Sequence, residues 1–204
     1  MVLESGLKQT RRLVVHKMNI FYLDSSASIS AKLHCDKHVV KMIVEYAQLL
    51  STAHRVLDGE LYIDSSSGRK IKRWRHPDSD CEATLYKACF VNHPSAIWVR
   101  ESPWNYSWLH ALWCSLCKEY THRYRVISSL SKDHATYIKL GKYLSSYPVN
   151  LPFDKDATAV PQCMPDDVKA DDPVDAYQNY YIKYKKDFAR WTRRPTPEFM
   201  KEAA

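Results

Sequence analysis

The stretch from Asp36 to Leu57 places Glu45 among basic and amide side chains. Its sequence, DKHVVKMIVEYAQLLSTAHRVL, repeats apolar residues at helical spacing, which predicts a long α-helix buried around most of its girth. The remaining polar side chains share one stripe: His38, Lys41, Glu45, Gln48, Thr52 and Arg55. A carboxylate that faces a cleft from such a stripe can do acid–base work or stabilise a developing cation. We therefore predict that Glu45 is catalytic and that Lys41 and His38 tune it. The alternative is a solvent-facing stripe with an ordinary Lys41–Glu45 ion pair.

A cluster of basic residues follows this helix and suggests an anionic partner. It contains Arg69, Lys70, Lys72, Arg73, Trp74 and Arg75. Lys and Arg neutralise phosphates, and an interleaved aromatic can stack on an unpaired base. The net charge of +7 agrees with a nucleic-acid partner, for which double-stranded DNA is our prediction. We assign further contacts to Gln48, Arg55, His93, Arg193 and Arg194, and we regard Trp74 and Trp104 as candidate wedges. The alternative is a basic turn that is merely solvated.

Histidines and cysteines allow two metal hypotheses. His34 and His38 lie four residues apart, and Cys114 and Cys117 form a CxxC, so together they could supply four zinc ligands. Cysteines within an apolar helix are more often buried thiols, and the prediction therefore includes neither a metal nor a cofactor. A metal-dependent phosphoester hydrolase that uses His34, Asp36 and His38 is kept as an alternative.

Composition excludes several classes of protein. The 204 residues suffice for one large domain, and four glycines without a Gly-x-Gly or Gly-Lys-Ser/Thr signature argue against a phosphate-binding loop. The sequence has neither a secretory signal nor an apolar run of membrane-spanning length. We therefore expect a cytoplasmic protein with reduced cysteines and no membrane partner.

The sequence as a whole predicts an all-α fold with a short extended segment and a proline-rich irregular connection. Residues 1–17 are a basic extension, and residues 18–204 form a single helical domain. An extended run begins at Met18, and the long helix precedes a polar loop over residues 60–80. Helical stretches follow over residues 93–124, interrupted at Pro103, and over residues 132–145. Prolines make residues 147–173 irregular, and a last helix covers residues 174–191.

The run DKHVVKMIVEYAQLL resembles the pyrimidine-dimer DNA glycosylase family of the bacteriophage endonuclease V type. In that family an Asp-x-His is followed, seven residues after the His, by the essential glutamate, as Asp36, His38 and Glu45 are here. Residues 92–124 and the sequence RRPT near the C-terminus are also similar. The resemblance implies a compact helical enzyme that grips a kinked duplex, extrudes a nucleotide and breaks its N-glycosidic bond. It also implies that the glutamate assists cleavage, while the chain's α-amine forms a Schiff base with the sugar.

The sequence departs from the family pattern at the nucleophile and beside the glutamate. Asn19 follows Met18 where the family has a small residue, and Val44 and Gln48 stand where arginines are expected. We therefore predict a DNA glycosylase for a damaged or modified base, with or without AP lyase activity. Water, Lys37 or Lys41 would be the nucleophile. A non-catalytic nucleic-acid- or nucleotide-binding protein is the other alternative.

Overall fold

The computed structural model describes residues 18–125 and 133–201, so the predicted extension over residues 1–17 lies outside the described residues. Within these ranges the chain is mainly helical, which confirms the predicted fold class. The helices are α1 (Ala27–Leu33), α2 (Asp36–Asp58), α3 (Ser79–Thr84), α4 (Pro94–Val99), α5 (Pro103–Tyr124), α6 (Ala135–Leu144), α7 (Pro173–Tyr184) and α8 (Glu198–Lys201). Strands β1 (Glu60–Asp64) and β2 (Ile71–Arg75) form an antiparallel hairpin, and Asp166–Val168 form a 3₁₀ turn.

The core forms where α2 packs against α5, because both helices are apolar around most of their circumference. The indole N–H of Trp113 on α5 donates to the carbonyl of Ile43 on α2 at 2.9 Å, which fixes the two helices side by side. The extended segment that begins at Met18 is buried beside them, and the Phe21 N–H donates to the Tyr46 hydroxyl at 3.0 Å. The helix that carries the polar stripe is thus held rigidly along its length.

Residues 102 and 103 explain the predicted interruption between α4 and α5. Ser102 is the N-cap of α5, and its hydroxyl accepts a bond from the Asn105 N–H at 3.2 Å. Pro103 occupies the first turn, where its missing N–H costs no hydrogen bond. The two helical segments therefore meet at a capped break, as the sequence predicts.

The prediction of an unstructured polar loop over residues 60–80 is wrong, because β1 and β2 lie within it. The strands pair from Glu60 opposite Arg75 to Asp64 opposite Ile71. Gly68 takes a φ of 75° in the connecting turn, a conformation that glycine adopts without strain. The strand signal is weak because Leu61 and Ile63 are both exposed, so their alternation does not mark a buried face.

Two further differences concern helix ends and are local. The helix predicted over residues 174–191 is α7, which ends at Tyr184, and the short helix α8 that follows it was not predicted. The long helix begins at Asp36, after the N-cap residue Cys35, and it ends at Asp58, one residue beyond the predicted Leu57, with Gly59 as its C-cap. A Cβ at Gly59 would lie 2.4 Å from the Arg55 carbonyl oxygen and 2.9 Å from that of Arg75, so this close approach requires glycine. No helix in the described ranges is both long and apolar enough to cross a bilayer.

Candidate active site

A groove of about 730 Å³ runs between the hairpin and the segment that precedes α4. One wall consists of Leu61 and residues 71–74, and the other consists of residues 88–93. Lys72 and Arg73 bring positive charge to the first wall, and Trp74 lies beside them. The structure therefore unites three residues of the predicted basic cluster with His93. We call this feature the basic groove.

Arg55 joins the hairpin wall of the basic groove to the segment that leads into the other wall. Its side chain is only 3% exposed. Its five N–H donors reach the carbonyl of Trp74 on the hairpin wall, the carbonyls of Glu82, Leu85 and Tyr86, and the carboxylate of Glu82. The guanidinium is thus fully committed within the protein, and it positions the groove rather than offering a donor to a phosphate.

Glu45 lies on α2 and does not line the basic groove, but its charge acts on the groove residue Cys89. Its side chain is 15% exposed, and its Oε1 lies 2.8 Å from Nζ of Lys41, which is 62% exposed. Two turns further along the helix, the Thr52 hydroxyl accepts a bond from the N–H of the groove residue Cys89 at 3.2 Å. Burial raises the pKa of the Cys89 thiol, and the negative charge of Glu45 adds to this effect. The carboxylate is therefore close enough to act electrostatically on the groove.

The polar stripe divides into three parts with different surroundings. His38 is buried at its start, Lys41, Glu45 and Gln48 are partly or fully accessible in its middle, and Thr52 and Arg55 are buried at its end. The accessible middle is the only part of the stripe that offers side chains to a ligand. The six side chains follow one line along α2, but only the middle of that line is accessible.

His38 is surrounded by aromatic side chains rather than by a cleft. Its Nδ1 bonds to the Tyr181 hydroxyl, and its ring stacks on Phe21 with centroids 4.3 Å apart. Burial, with the nearby charges of Lys185 and Lys41 and the neighbouring His34, lowers the pKa of His38 to about 2. The imidazole is thus neutral at physiological pH, and its contacts hold α2 against α7.

The remaining predicted nucleic-acid contacts occupy two places. Arg69, Lys70 and Arg75 are exposed on the hairpin outside the groove, and Arg75 lies over the Tyr62 ring at 5.0 Å. Arg193 and Arg194 lie instead at the far end of α5. Arg193 donates to the carbonyls of His122 and Arg125, and Arg194 bonds to both oxygens of Glu119.

His93 lines the basic groove and also begins a helix. Its Nδ1 accepts a bond from the Ser95 N–H at 3.2 Å, which makes it the N-cap of α4. Of the two candidate wedges, Trp74 lies in the groove, whereas Trp104 is exposed in the first turn of α5 and does not line it. The cap fixes the orientation of the His93 ring at the end of the groove wall.

Sequence reasoning missed Phe90, which lines the basic groove. Its ring is 53% exposed, and its backbone has a φ of 48°. A non-glycine residue in this left-handed region is strained, and such residues often occur at functional sites. The segment ACFVN has no turn signature, so only the three-dimensional structure reveals an aromatic ring held out at the groove.

The residues of the two metal hypotheses do not come together. The His34 ring nitrogens bond to the Ser30 carbonyl and the Tyr46 hydroxyl, while Asp36 pairs with Arg123 and Thr192. Cys114 lies against His110 on its own helix. All six cysteines are free thiols. Within the described residues, the groups of three or more potential ligands lie elsewhere, near the end of α2.

A largely buried carboxylate close to a basic groove, in a mainly helical protein, is an arrangement suited to an enzyme of nucleic-acid chemistry. A family model described as pyrimidine dimer DNA glycosylase matches residues 18–132, more than half of the chain. The chain therefore belongs to this family of DNA glycosylases, and its substrate is DNA. The matched stretch includes Glu45, the hairpin and both groove walls. Searches of curated proteins and of solved structures give no significant match.

Proposed function

We propose that this protein removes a damaged or modified base from double-stranded DNA and that Glu45 is its catalytic carboxylate. The observation that carries the proposal is the position of Glu45, whose side chain is largely buried on α2 and close enough to the groove residue Cys89 to act on it electrostatically. Glycosidic cleavage develops positive charge on the sugar, which a fixed carboxylate stabilises. The same group can orient the water that attacks C1′ while the base departs with the bonding electrons.

The basic groove is suited to a single extruded nucleotide. Lys72 and Arg73 can neutralise the flanking phosphates, while Trp74 offers a π-face for the base. Arg69, Lys70 and Arg75 extend the positive surface along the hairpin. We assign the phosphate contacts to these residues, with His93 and Gln48 near the base. Arg193 and Arg194 lie outside the family match, and we regard them as a separate edge of the contact.

In the lyase variant of the proposal, Lys41 is the attacking amine and Glu45 is its base. Glu45 can accept a proton from Nζ of Lys41, which lies 2.8 Å from its Oε1. The free amine then attacks C1′, and the base leaves with the bonding electrons. Cleavage of the C1′–O4′ bond opens the sugar and gives the iminium, and loss of a C2′ proton then breaks the C3′–O bond and releases the 3′ phosphate. Lys37, with its Nζ 4.9 Å from the centre of the Phe188 ring, is the second candidate amine.

The decisive experiment replaces Glu45 with glutamine. Base release is measured by mass spectrometry on duplexes that contain a pyrimidine dimer or one of a panel of modified bases. Because E45Q removes the charge but keeps the shape, we expect about a 10²- to 10⁴-fold loss of rate with DNA affinity preserved. E198Q is the matched control, since Glu198 also pairs with a helical lysine, Lys201. Equal rates for E45Q and wild type would refute the proposal.

Borohydride trapping separates the two chemical variants. A covalent protein–DNA adduct in wild type that is lost in K41R identifies Lys41 as the amine. An adduct that is lost instead in K37R identifies Lys37. Base release without any adduct identifies water as the nucleophile.

We further propose that Phe90 occupies the gap that the extruded base leaves in the duplex. An exposed aromatic ring at the groove can stack on the orphaned base pair and offset part of the cost of extrusion. Because a stacking contact contributes about 1–3 kcal/mol, F90A should slow base release by about 10- to 100-fold. F153A is the control, since Phe153 is equally exposed but lies in the proline-rich segment. Fluorescence of 2-aminopurine opposite the target reports extrusion directly, and an unchanged signal in F90A would exclude this role.

A further inference from the structure

A second cavity, of about 350 Å³, lies beside the last turn of α2 and is lined by different residues from the basic groove. His54 and Asp58 face it from α2, and His76 faces it from the position directly after β2. One ligand atom from each of these three side chains lies within 4.8 Å of the others. None of the three has a part in the proposed glycosylase chemistry.

His76 provides the observation that distinguishes this cluster from an ordinary polar contact. The residue is 9% exposed, and its Nε2 is buried without a hydrogen-bond partner among the described residues. This nitrogen points toward Oδ2 of Asp58 at 3.9 Å, which is too long for a hydrogen bond. A buried polar nitrogen without a partner is costly, and native proteins rarely retain one without a reason.

The surroundings orient His54 and Asp58 as ligands. The Tyr106 hydroxyl donates its proton to a carbonyl of Leu144 or Ser146, so it accepts its 2.8 Å bond from Nε2 of His54. The lone pair of His54 therefore remains on Nδ1. The backbone N–H groups of residues 149 and 150 each donate to an Asp58 oxygen at 2.9 Å. Such outer bonds fix metal ligands in orientation.

We propose that His54, Asp58 and His76 bind one divalent transition-metal ion, with Zn²⁺ as the best match, and that water from the cavity completes its coordination. Two imidazoles and one carboxylate form a donor set that zinc accepts in a four-coordinate site. The Asp78 N–H now bonds to Nδ1 of His76 at 3.1 Å. Binding of the metal through Nε2 moves the imidazole proton to Nδ1. A protonated Nδ1 cannot accept a hydrogen bond, so the bond from the Asp78 N–H is lost.

The site has a structural consequence because its ligands come from two elements. His54 and Asp58 are on α2, whereas His76 directly follows the strand that carries Lys72 and Arg73. A bound ion therefore fastens the hairpin to the helix that bears Glu45. The expected role is to hold the hairpin wall of the basic groove, not to take part in base release.

The test is zinc binding to the full chain after removal of metal by a chelator. Calorimetry with ZnCl₂ should give one ion per chain, and thermal unfolding should shift upward with zinc concentration because the ion binds the folded state. H76Q and D58N should each weaken binding by about 100-fold or more, since losing even an outer-shell partner costs about 10- to 100-fold. H122Q, which alters an exposed histidine outside the cluster, should bind as wild type does.

Cobalt substitution identifies the donors independently of stability. Co²⁺ bound by nitrogen and oxygen alone gives visible d–d bands without a sulfur-to-metal charge-transfer band. A charge-transfer band that disappears in C81S would place the ion on the neighbouring group of His76, Asp78 and Cys81 and overturn the proposed donor set. Absence of binding, or equal affinity in wild type, H76Q and D58N, would overturn the site altogether.

Discussion

The two ends of α2 are both rich in charged side chains, but they use them differently. At the N-terminal end, Arg123 bonds to Asp36, Glu119 and two backbone carbonyls, and Arg194 completes the pairing of Glu119. At the C-terminal end, Lys72 is exposed on the hairpin that forms one wall of the basic groove. Cations that are already paired hold elements together, whereas exposed cations remain available to phosphates. Position in the sequence does not distinguish the two uses.

The largest expected effect comes from breaking the network at the N-terminal end. R123M should lower the free energy of unfolding by about 3–5 kcal/mol, because it removes the buried cation that pairs with Asp36 and Glu119 and leaves the carbonyls of Lys32 and His34 without their donor. K72M, the matched substitution at the C-terminal end, should change it by less than about 0.5 kcal/mol. Urea denaturation of both variants measures the difference. Similar losses in the two would show that the ends are not distinct.

The second expected effect is on the pH dependence of stability. Burial lowers the pKa of His34 to about 4 and that of His38 to about 2, while unfolded histidines titrate near 6.5. Below pH 6.5 the unfolded chain therefore binds protons that the folded chain does not, and stability falls as pH falls. As the pH falls from 6.5 to its pKa in the folded state, each histidine lowers the free energy of unfolding by about 1.4 kcal/mol per pH unit.

The variant H38Q isolates one of these protons. Its unfolding free energy, measured in urea between pH 6.5 and 5, should fall less steeply than that of wild type by about 1.4 kcal/mol per pH unit. Identical slopes for wild type and H38Q would mean that the His38 proton is not excluded in the folded state.

The third expected effect sharpens the comparison through salt dependence. Each phosphate contact that is lost should reduce the slope of log affinity against log salt by about 1. K72Q should show this change on duplex DNA without loss of stability. R194Q should instead lower stability, because Arg194 bonds to Glu119, and should leave the slope closer to wild type. The reverse pattern would assign the DNA contact to the C-terminal edge.

The smallest expected effect concerns the backbone of Phe90. Glycine tolerates its φ of 48°, whereas any other side chain costs about 1–2 kcal/mol there. Replacing alanine with glycine relieves this strain, but glycine loses more conformational freedom on folding, which offsets part of the effect. F90G should therefore be about 1 kcal/mol more stable than F90A. Thermal unfolding compares the two variants, which lack the ring alike. A less stable F90G would show that the conformation is not strained.

The sequence predicts the long helix, its polar line and the capped break at Pro103 because these depend on local periodicity and capping. It does not predict the hairpin, since β1 exposes Leu61 and Ile63 and so lacks a one-sided apolar pattern. The composition of the basic cluster indicates DNA whether these residues form a loop or a hairpin. Only the antiparallel pairing turns that cluster into the wall of a groove.

The sequence also cannot distinguish an accessible cation from a committed one. Arg55 and Glu45 share the same helical line, yet Arg55 is covered by residues 82–86, which lie about thirty positions further along the chain. Burial of this kind depends on long-range packing and leaves no mark in local spacing. The same reason explains why the His54, Asp58 and His76 cluster was not anticipated, since its third member is contributed by the hairpin.

The bonds of Arg55 have a consequence for substrate selection. Because one guanidinium bonds to the hairpin and to the segment that leads into the other wall, the two cannot separate without losing buried hydrogen bonds. Under the proposed function, discrimination among nucleobases therefore falls to the side chains that line the basic groove, which can change without disturbing this frame.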